Sequence, residues 1–110
     1  MKELIKKIAK LPKLEKWCFI RTLLDSGEDA VTDLMGTLKR YGPRQREAFI
    51  KAMPETYGNW IGEQLEKTTA ADDKTASRVG QKITAALITA PANAKRVKYH
   101  SDHQSSIMVA

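Results

Sequence analysis

The sequence predicts an all-α fold, a compact bundle of five or six short helices followed by a flexible C-terminal tail. Apolar residues recur at helical spacing through most of the chain. Strict alternation of apolar and polar residues is absent and β-branched residues are sparse, so no strand pattern competes. The 110 residues are enough for one domain and too few for two ordinary ones. We therefore expect one helical domain over residues 1–90 and a polar, basic tail over 91–110.

Two helices are predicted before the first turn-rich segment. Residues 2–11 form a short amphipathic pattern that ends before Pro12, and such a short helix must dock on other elements to be stable. Residues 14–25 are apolar around most of the helix circumference, which predicts the central core helix. Within it we place Trp17 in the core and interpret Cys18 as a small buried side chain and not a reactive thiol.

Turn residues divide the middle of the chain into helices. The segment from Glu28 or Asp29 to Tyr41 carries one apolar stripe, with Ser26 or Asp29 as its N-terminal cap and Gly42 as its end. The next helix begins at Pro43 and runs to about residue 53. A further helix covers 55–67, a polar linker covers 68–73, and a last helix covers about 73–89.

One short pattern is repeated within these helices. Cys18-Phe19-Ile20-Arg21 is echoed thirty positions later by Ala48-Phe49-Ile50-Lys51, and each quartet is followed by a turn and another helix. The stretch 14–67 therefore resembles a pair of helical hairpins of the HEAT-repeat kind. That resemblance implies how the helices pack and implies no function.

Charge is distributed unevenly along the chain. The formal net charge is +6 and the isoelectric point is about 9.6. Residues 1–25 carry seven Lys and Arg against three acidic residues, residues 54–73 carry one against five, and residues 74–99 carry six against none. A basic chain favours an acidic partner such as nucleic acid, an anionic membrane or an acidic protein. The alternative is that acidic and basic helices pack beside one another.

The first candidate binding surface is the junction between the third and fourth helices, where four basic residues and a tyrosine cluster: Lys39, Arg40, Tyr41, Arg44 and Arg46. Arginine can bind a phosphate through two donors, and a tyrosine ring can stack on a base. The alternative is that these cations complement a helix dipole or stay solvated. The junction is a poor DNA-reading helix-turn-helix, because Leu38 stands where a small residue is usual and Pro43 follows the turn directly.

The second candidate surface combines the last helix with the tail. Basic residues recur at i, i+4 and i+8 on one edge of that helix, and more basic residues with one aromatic follow in the tail: Lys74, Arg78, Lys82, Lys95, Arg96, Lys98 and Tyr99. Basic residues interleaved with an aromatic fit a nucleic-acid-binding tail, although a disordered solubilising tail is an equal alternative.

Patterns of catalysis and metal binding are missing from the sequence. No phosphate-binding loop, nucleophile elbow or zinc-protease helix occurs. His100 and His103 stand in the predicted tail with Asp102 and no rigid element to hold them as metal ligands. We therefore expect no catalytic residues, no cofactor and no metal. No apolar run is long enough for a membrane span and no signal peptide is recognisable, so we expect a cytoplasmic protein without a membrane partner.

Three functional hypotheses remain. The first is a small, basic, non-catalytic nucleic-acid-associated binding or regulatory protein, with DNA or RNA held mainly through phosphate. The alternative is a protein–protein adaptor or inhibitor that docks on a larger, DNA-processing enzyme, as small phage- or plasmid-type accessory proteins do. Its contacts would come from the N-terminal helix and from exposed parts of Tyr57 and Trp60. A third is a homodimer built on the helices between residues 14 and 41.

Overall fold

The protein is a bundle of six α-helices in a computed structural model that describes the backbone of residues 1–109 and the side chains of residues 1–97. Over that backbone there is no strand, which confirms the predicted all-α class. In chain order the helices are α1 (Lys2–Ala9), α2 (Lys13–Leu24), α3 (Ala30–Tyr41), α4 (Pro43–Ala52), α5 (Glu55–Lys67) and α6 (Asp73–Val109). Helix α2 packs against α3, and α4 packs against α5, as the resemblance to helical hairpins implies.

The turns form where the sequence predicts them. Gly42 separates α3 from α4 with φ +94°, a left-handed value that glycine adopts without strain, and Pro43 takes the first position of α4. The predicted side-chain cap of α3 is not formed. Asp29 stands at the cap position without a side-chain hydrogen bond, and the Ser26 hydroxyl instead donates to the Leu23 carbonyl oxygen of α2 at 2.8 Å.

The core is drawn from every helix. Its largest fully buried side chains are those of Ile8, Phe19, Ile20, Met35, Leu38, Phe49, Ile61 and Ile83. Burial of each such side chain contributes about 1.5–3 kcal/mol relative to leaving it in water. The apolar face of α1 is part of this core, because Ile5 and Ile8 are both buried.

The central helix is α3, which packs against α2, α4, α5 and α6, and the prediction that residues 14–25 form it is wrong. α6 packs against α1, α2 and α3, and its buried face is rich in alanine, which lets neighbouring helices approach closely. α2 turns Phe19, Ile20 and Leu23 inward. Two of its other apolar side chains lie nearer the surface: Leu14 is 39% exposed and Trp17 is half-buried.

α6 continues past the predicted end near residue 89. Pro91 lies inside the helix and removes one backbone hydrogen bond. Ala90 and Ala94 on either side of it are buried, and Pro91 and Ala94 lie beside Pro12 and Leu14 at the start of α2. This packing offsets the cost of the proline, so residues 91–97 belong to the folded helix. The rest of the predicted flexible tail, from residue 98, lies outside the described side chains.

The linker over residues 68–72 is docked on α3. The Ala71 N–H donates to the Gly36 carbonyl oxygen at 2.9 Å. A Cβ at position 36 would lie 3.0 Å from the Thr69 carbonyl oxygen and 3.1 Å from the Ala71 Cβ. A glycine is therefore needed at position 36, because the linker backbone passes so close to α3. The linker in turn holds the start of α6 against α3.

Candidate anion-binding interface

Lysines from α1 and an arginine from α4 line one open cleft of about 370 Å³, which we call the α1–α4 cleft. Its cations are Lys2, Lys6 and Arg44, and no acidic side chain of the described residues lines it. Lys2 and Lys6 are one helical turn apart and so project to the same side of α1. Ile5 and Ala48 supply the apolar part of its lining.

The positive charge of the α1–α4 cleft is little compensated by nearby carboxylates. Lys6 Nζ lies 3.7 Å from Glu3 Oε1, but both side chains are mostly exposed, at 61% and 81%, so the pair is weak. Among the side chains of residues 1–97, Lys2 and Arg44 form no ion pair. An incoming anion therefore meets three cations and one loosely held carboxylate.

The first turn of α4, which carries Arg44, has backbone hydrogen-bond donors without a helical partner. It contains no acidic residue, and Pro43 has no N–H. The Arg46 N–H donates to the Gly42 carbonyl oxygen at 3.1 Å, which leaves the backbone N–H groups of Arg44 and Gln45 without a helical partner. The Gln45 side chain also lines the cleft; its Oε1 is shielded from solvent and has no partner among the described residues. Its amide group adds two N–H donors.

The structure separates the other predicted junction residues from Arg44. Arg46 is two residues further along α4, a rotation of about 200° around the helix axis, and it is half-buried. Lys39 is half-buried in the last turn of α3. Neither side chain lines the α1–α4 cleft.

Arg40 is occupied by contacts inside the protein. Its guanidinium forms an ion pair with Asp73 at the start of α6 and donates to the Ala71 carbonyl oxygen at 3.2 Å. These contacts tie α3 to the linker and to α6. The Arg40 guanidinium therefore has a structural role, and fewer of its donors are left for a ligand.

Tyr41 lies on the other side of α1, in a second cleft of about 440 Å³ that we call the Tyr41 cleft. Met1 and Leu4 of the N-terminal segment line it from one side. The opposite wall is one face of α6, made of Ala76, Ser77, Gly80, Gln81 and Thr84. The junction therefore supplies two neighbouring clefts, with Arg44 in one and Tyr41 in the other.

The second predicted surface is partly neutralised by α3. Arg78 lies 3.5 Å from the Asp33 carboxylate, and Lys82 is half-buried in a small hollow beside the same aspartate. Arg78 and Arg40 are therefore both paired with an aspartate of a neighbouring helix, as expected if acidic and basic helices pack beside one another. Lys74, Lys95 and Arg96 are exposed, and Lys98 and Tyr99 lie outside the described side chains.

An apolar groove between α2 and α6 is a further open feature of the surface. Leu14, Trp17 and Cys18 line it from α2, and Val97, which is 46% exposed, lines it from α6. The Trp17 ring makes an edge-to-face contact with Tyr57, with ring centroids 5.0 Å apart. Burial, with a smaller contribution from Glu15, raises the pKa of the Cys18 thiol above its ordinary 9.0, so the thiol stays protonated near neutral pH.

The surfaces expected for a protein partner are less available than the sequence indicates. The apolar face of α1 is buried within the bundle, and Tyr57 and Trp60 are half-buried beside each other, with ring centroids 6.3 Å apart. Leu14 and Val97 in the α2–α6 groove expose a larger fraction of their surface than either ring, at 39% and 46%. Trp17 and Cys18, which the sequence pattern predicts to be buried in the core, instead line this groove.

Metal ligands do not cluster in the part of the chain with described side chains, where no group of three or more His, Cys, Asp or Glu side chains could hold an ion. The predicted absence of a metal at His100 and His103 concerns residues outside that part. None of the helices over the described residues combines the length and apolarity needed to cross a membrane.

Comparisons of the chain with protein-family models, curated proteins and solved structures found no match. Lys2 and Lys6 belong to the ordinary amphipathic pattern of residues 2–11, and no local signal links them to Arg44. Only the docking of α1 on α4 brings the three cations together.

Proposed function

We propose that this chain is a small, non-catalytic, nucleic-acid-associated binding or regulatory protein that holds phosphate groups in the α1–α4 cleft. The observation that carries the proposal is the convergence of Lys2, Lys6 and Arg44, from two helices, on one cleft without an acidic lining residue among those described. Arg44 suits bidentate contact with a phosphate, and the lysines act as point charges. The proposal places the protein in the cytoplasm, where nucleic acid is accessible.

Phosphate contacts of this kind predict the form of the binding isotherm. About three contacts give a slope of roughly −2 for log K against log salt with a single strand and about −2.7 with a duplex. Because phosphates carry no sequence information, selectivity among sequences is weak. The overall charge of +6 accelerates association at low salt.

The test is fluorescence anisotropy with labelled DNA and RNA across a salt series. The double variant Lys6→Gln with Arg44→Gln removes two cations from the cleft, and its salt slope should become shallower by about 1.4 on a single strand. The matched control is Lys10→Gln with Lys51→Gln, which removes two exposed cations from the same two helical segments outside the cleft.

Two outcomes would count against the proposal. If both double variants weaken binding and change the slope equally, general positive charge and not the cleft binds phosphate. If the wild type binds no nucleic acid at physiological salt, a protein partner becomes the leading explanation.

The second candidate function is the protein–protein adaptor or inhibitor. The α2–α6 groove favours it, since Leu14 and Val97 expose apolar surface at 39% and 46%. It requires a stoichiometric complex that survives nuclease treatment. Replacement of both side chains, Leu14→Gln with Val97→Gln, should then abolish the complex while Lys6→Gln with Arg44→Gln leaves it intact.

A further inference from the structure

We infer that the preferred ligand is a single strand, held with a phosphate in the α1–α4 cleft and a neighbouring base in the Tyr41 cleft. The inference rests on the proposed function of the α1–α4 cleft and names its substrate class. The two clefts lie on either side of the first turn of α1: Lys2 lines one, and its chain neighbour Met1 lines the other with Leu4. A strand that crosses this turn meets both.

The lining of the Tyr41 cleft suits a nucleobase and not a phosphate group. Tyr41 is half-buried and offers an aromatic ring, while Leu4 and Met1 offer apolar contact. Hydroxyl and amide groups stand opposite on α6, at Ser77, Gln81 and Thr84. No charged side chain of the described residues lines this cleft. A nucleobase has the matching surface, with apolar faces and a polar edge.

The cleft is also open enough for a small planar group. Its volume of about 440 Å³ lies in the range of small-ligand sites, about 300–1,000 Å³. Gly80 faces open space, because a Cβ built there meets nothing within 4 Å. The Thr84 hydroxyl donates to the Gly80 carbonyl oxygen at 3.0 Å, so its oxygen remains an acceptor toward the cleft.

A duplex does not fit this arrangement. Its bases are stacked and paired inside the helix, and bringing one into a side cleft costs a few kcal/mol of unstacking and unpairing. A single strand has unpaired bases, so placing one of them in the cleft costs much less free energy. Electrostatic contact to the backbone combined with aromatic stacking is the general mode of single-strand binding. The pairing of a basic cleft with an aromatic cleft that has no charged side chain among the described residues therefore favours a single strand.

The experiment compares three labelled ligands across the same salt series: a single-stranded oligothymidylate, an abasic strand of the same length and charge, and a duplex. Stacking of one base predicts that the wild type binds oligothymidylate about tenfold more tightly than the abasic strand. The variant Gly80→Met fills the Tyr41 cleft and should lower binding of oligothymidylate to the abasic level with an unchanged salt slope. Gly62→Met is the control, since Gly62 in α5 also faces open space away from both clefts.

A second pair of variants tests the same cleft in case Gly80→Met does not fold. Tyr41→Phe keeps the ring and should keep the preference for base-bearing strands, whereas Tyr41→Leu should lose it. Equal binding of abasic and base-bearing strands with a wild-type salt slope would overturn the inference and leave the proposed function standing. Tighter binding of the duplex would do the same. No binding of any of the three ligands would overturn both.

Discussion

Arg40 in the last turn of α3 forms an ion pair with Asp73, the first residue of α6, and the same guanidinium donates to the Ala71 carbonyl oxygen at 3.2 Å. Asp73 is 89% exposed, so the ion pair by itself contributes little to stability. Its consequence is positional, because it holds the linker and the start of α6 on α3. The wall of the Tyr41 cleft on α6 is thereby placed opposite Tyr41.

Replacing Arg40 should affect binding much less than replacing Arg44. We expect Arg40→Gln to lower the free energy of unfolding by less than about 1 kcal/mol, since a surface ion pair is lost. Anisotropy at low salt should show near wild-type affinity for Arg40→Gln and clear weakening for Arg44→Gln, although both remove one charge. Equal weakening by the two variants would place Arg40 in the interface.

Substitution of Gly36 should destabilise the fold because the linker passes directly over it. A Cβ there would lie 3.0 Å from the Thr69 carbonyl oxygen and 3.2 Å from the Ala71 nitrogen. We expect Gly36→Ala to cost about 1–3 kcal/mol in urea unfolding, the range for overpacking. Gly62→Ala is the control in open space and should gain up to about 1 kcal/mol from helix propensity. A neutral Gly36→Ala would show that the linker can move away.

The helix beyond Pro91 should be sensitive to substitution on one side only. Ala94 is 7% exposed beside Pro12 and Leu14, while Ala92 is exposed. We expect Ala94→Glu to lower the free energy of unfolding by about 1–3 kcal/mol, through overpacking and burial of a polar group. Ala92→Glu should change it by less than about 0.5 kcal/mol. Equal effects in urea unfolding would mean that residues 91–97 are not docked.

Asp72 should make a pH-dependent contribution to stability. Its carboxylate accepts the Thr75 backbone N–H at 2.8 Å at the start of α6, and this hydrogen bond holds the pKa of Asp72 below its ordinary 3.8. A lowered folded-state pKa means that the contribution is complete above 3.8 and is lost as pH falls through the folded value.

Asp72→Asn keeps a capping side chain without the titration. The difference in unfolding free energy between wild type and Asp72→Asn, measured across a pH series, should therefore narrow in acid. A difference that stays constant across the series would contradict this assignment.

Local signals in the sequence were sufficient to predict the helices and most of their ends. Gly42 and Pro43 mark the α3–α4 junction because each acts on its own backbone dihedrals, and the helix start at Asp72 follows from a side chain three residues from its partner. The apolar stripe of α1 correctly predicted that it docks. These features depend on interactions within one or two helical turns, which a single sequence displays.

The tertiary structure alone decided which helix is central, how far α6 extends and which cations are free. Ala94 packs on the start of α2 and carries α6 through Pro91, against the local preference of the proline. Arg40 and Arg44 are equivalent in the sequence, yet one meets Asp73 and the other meets the lysines of α1. A cation's role depends on the charges on whichever helix packs beside it. Which helix packs beside which is decided by the summed burial of side chains far apart in the chain, and no local sequence pattern contains that information.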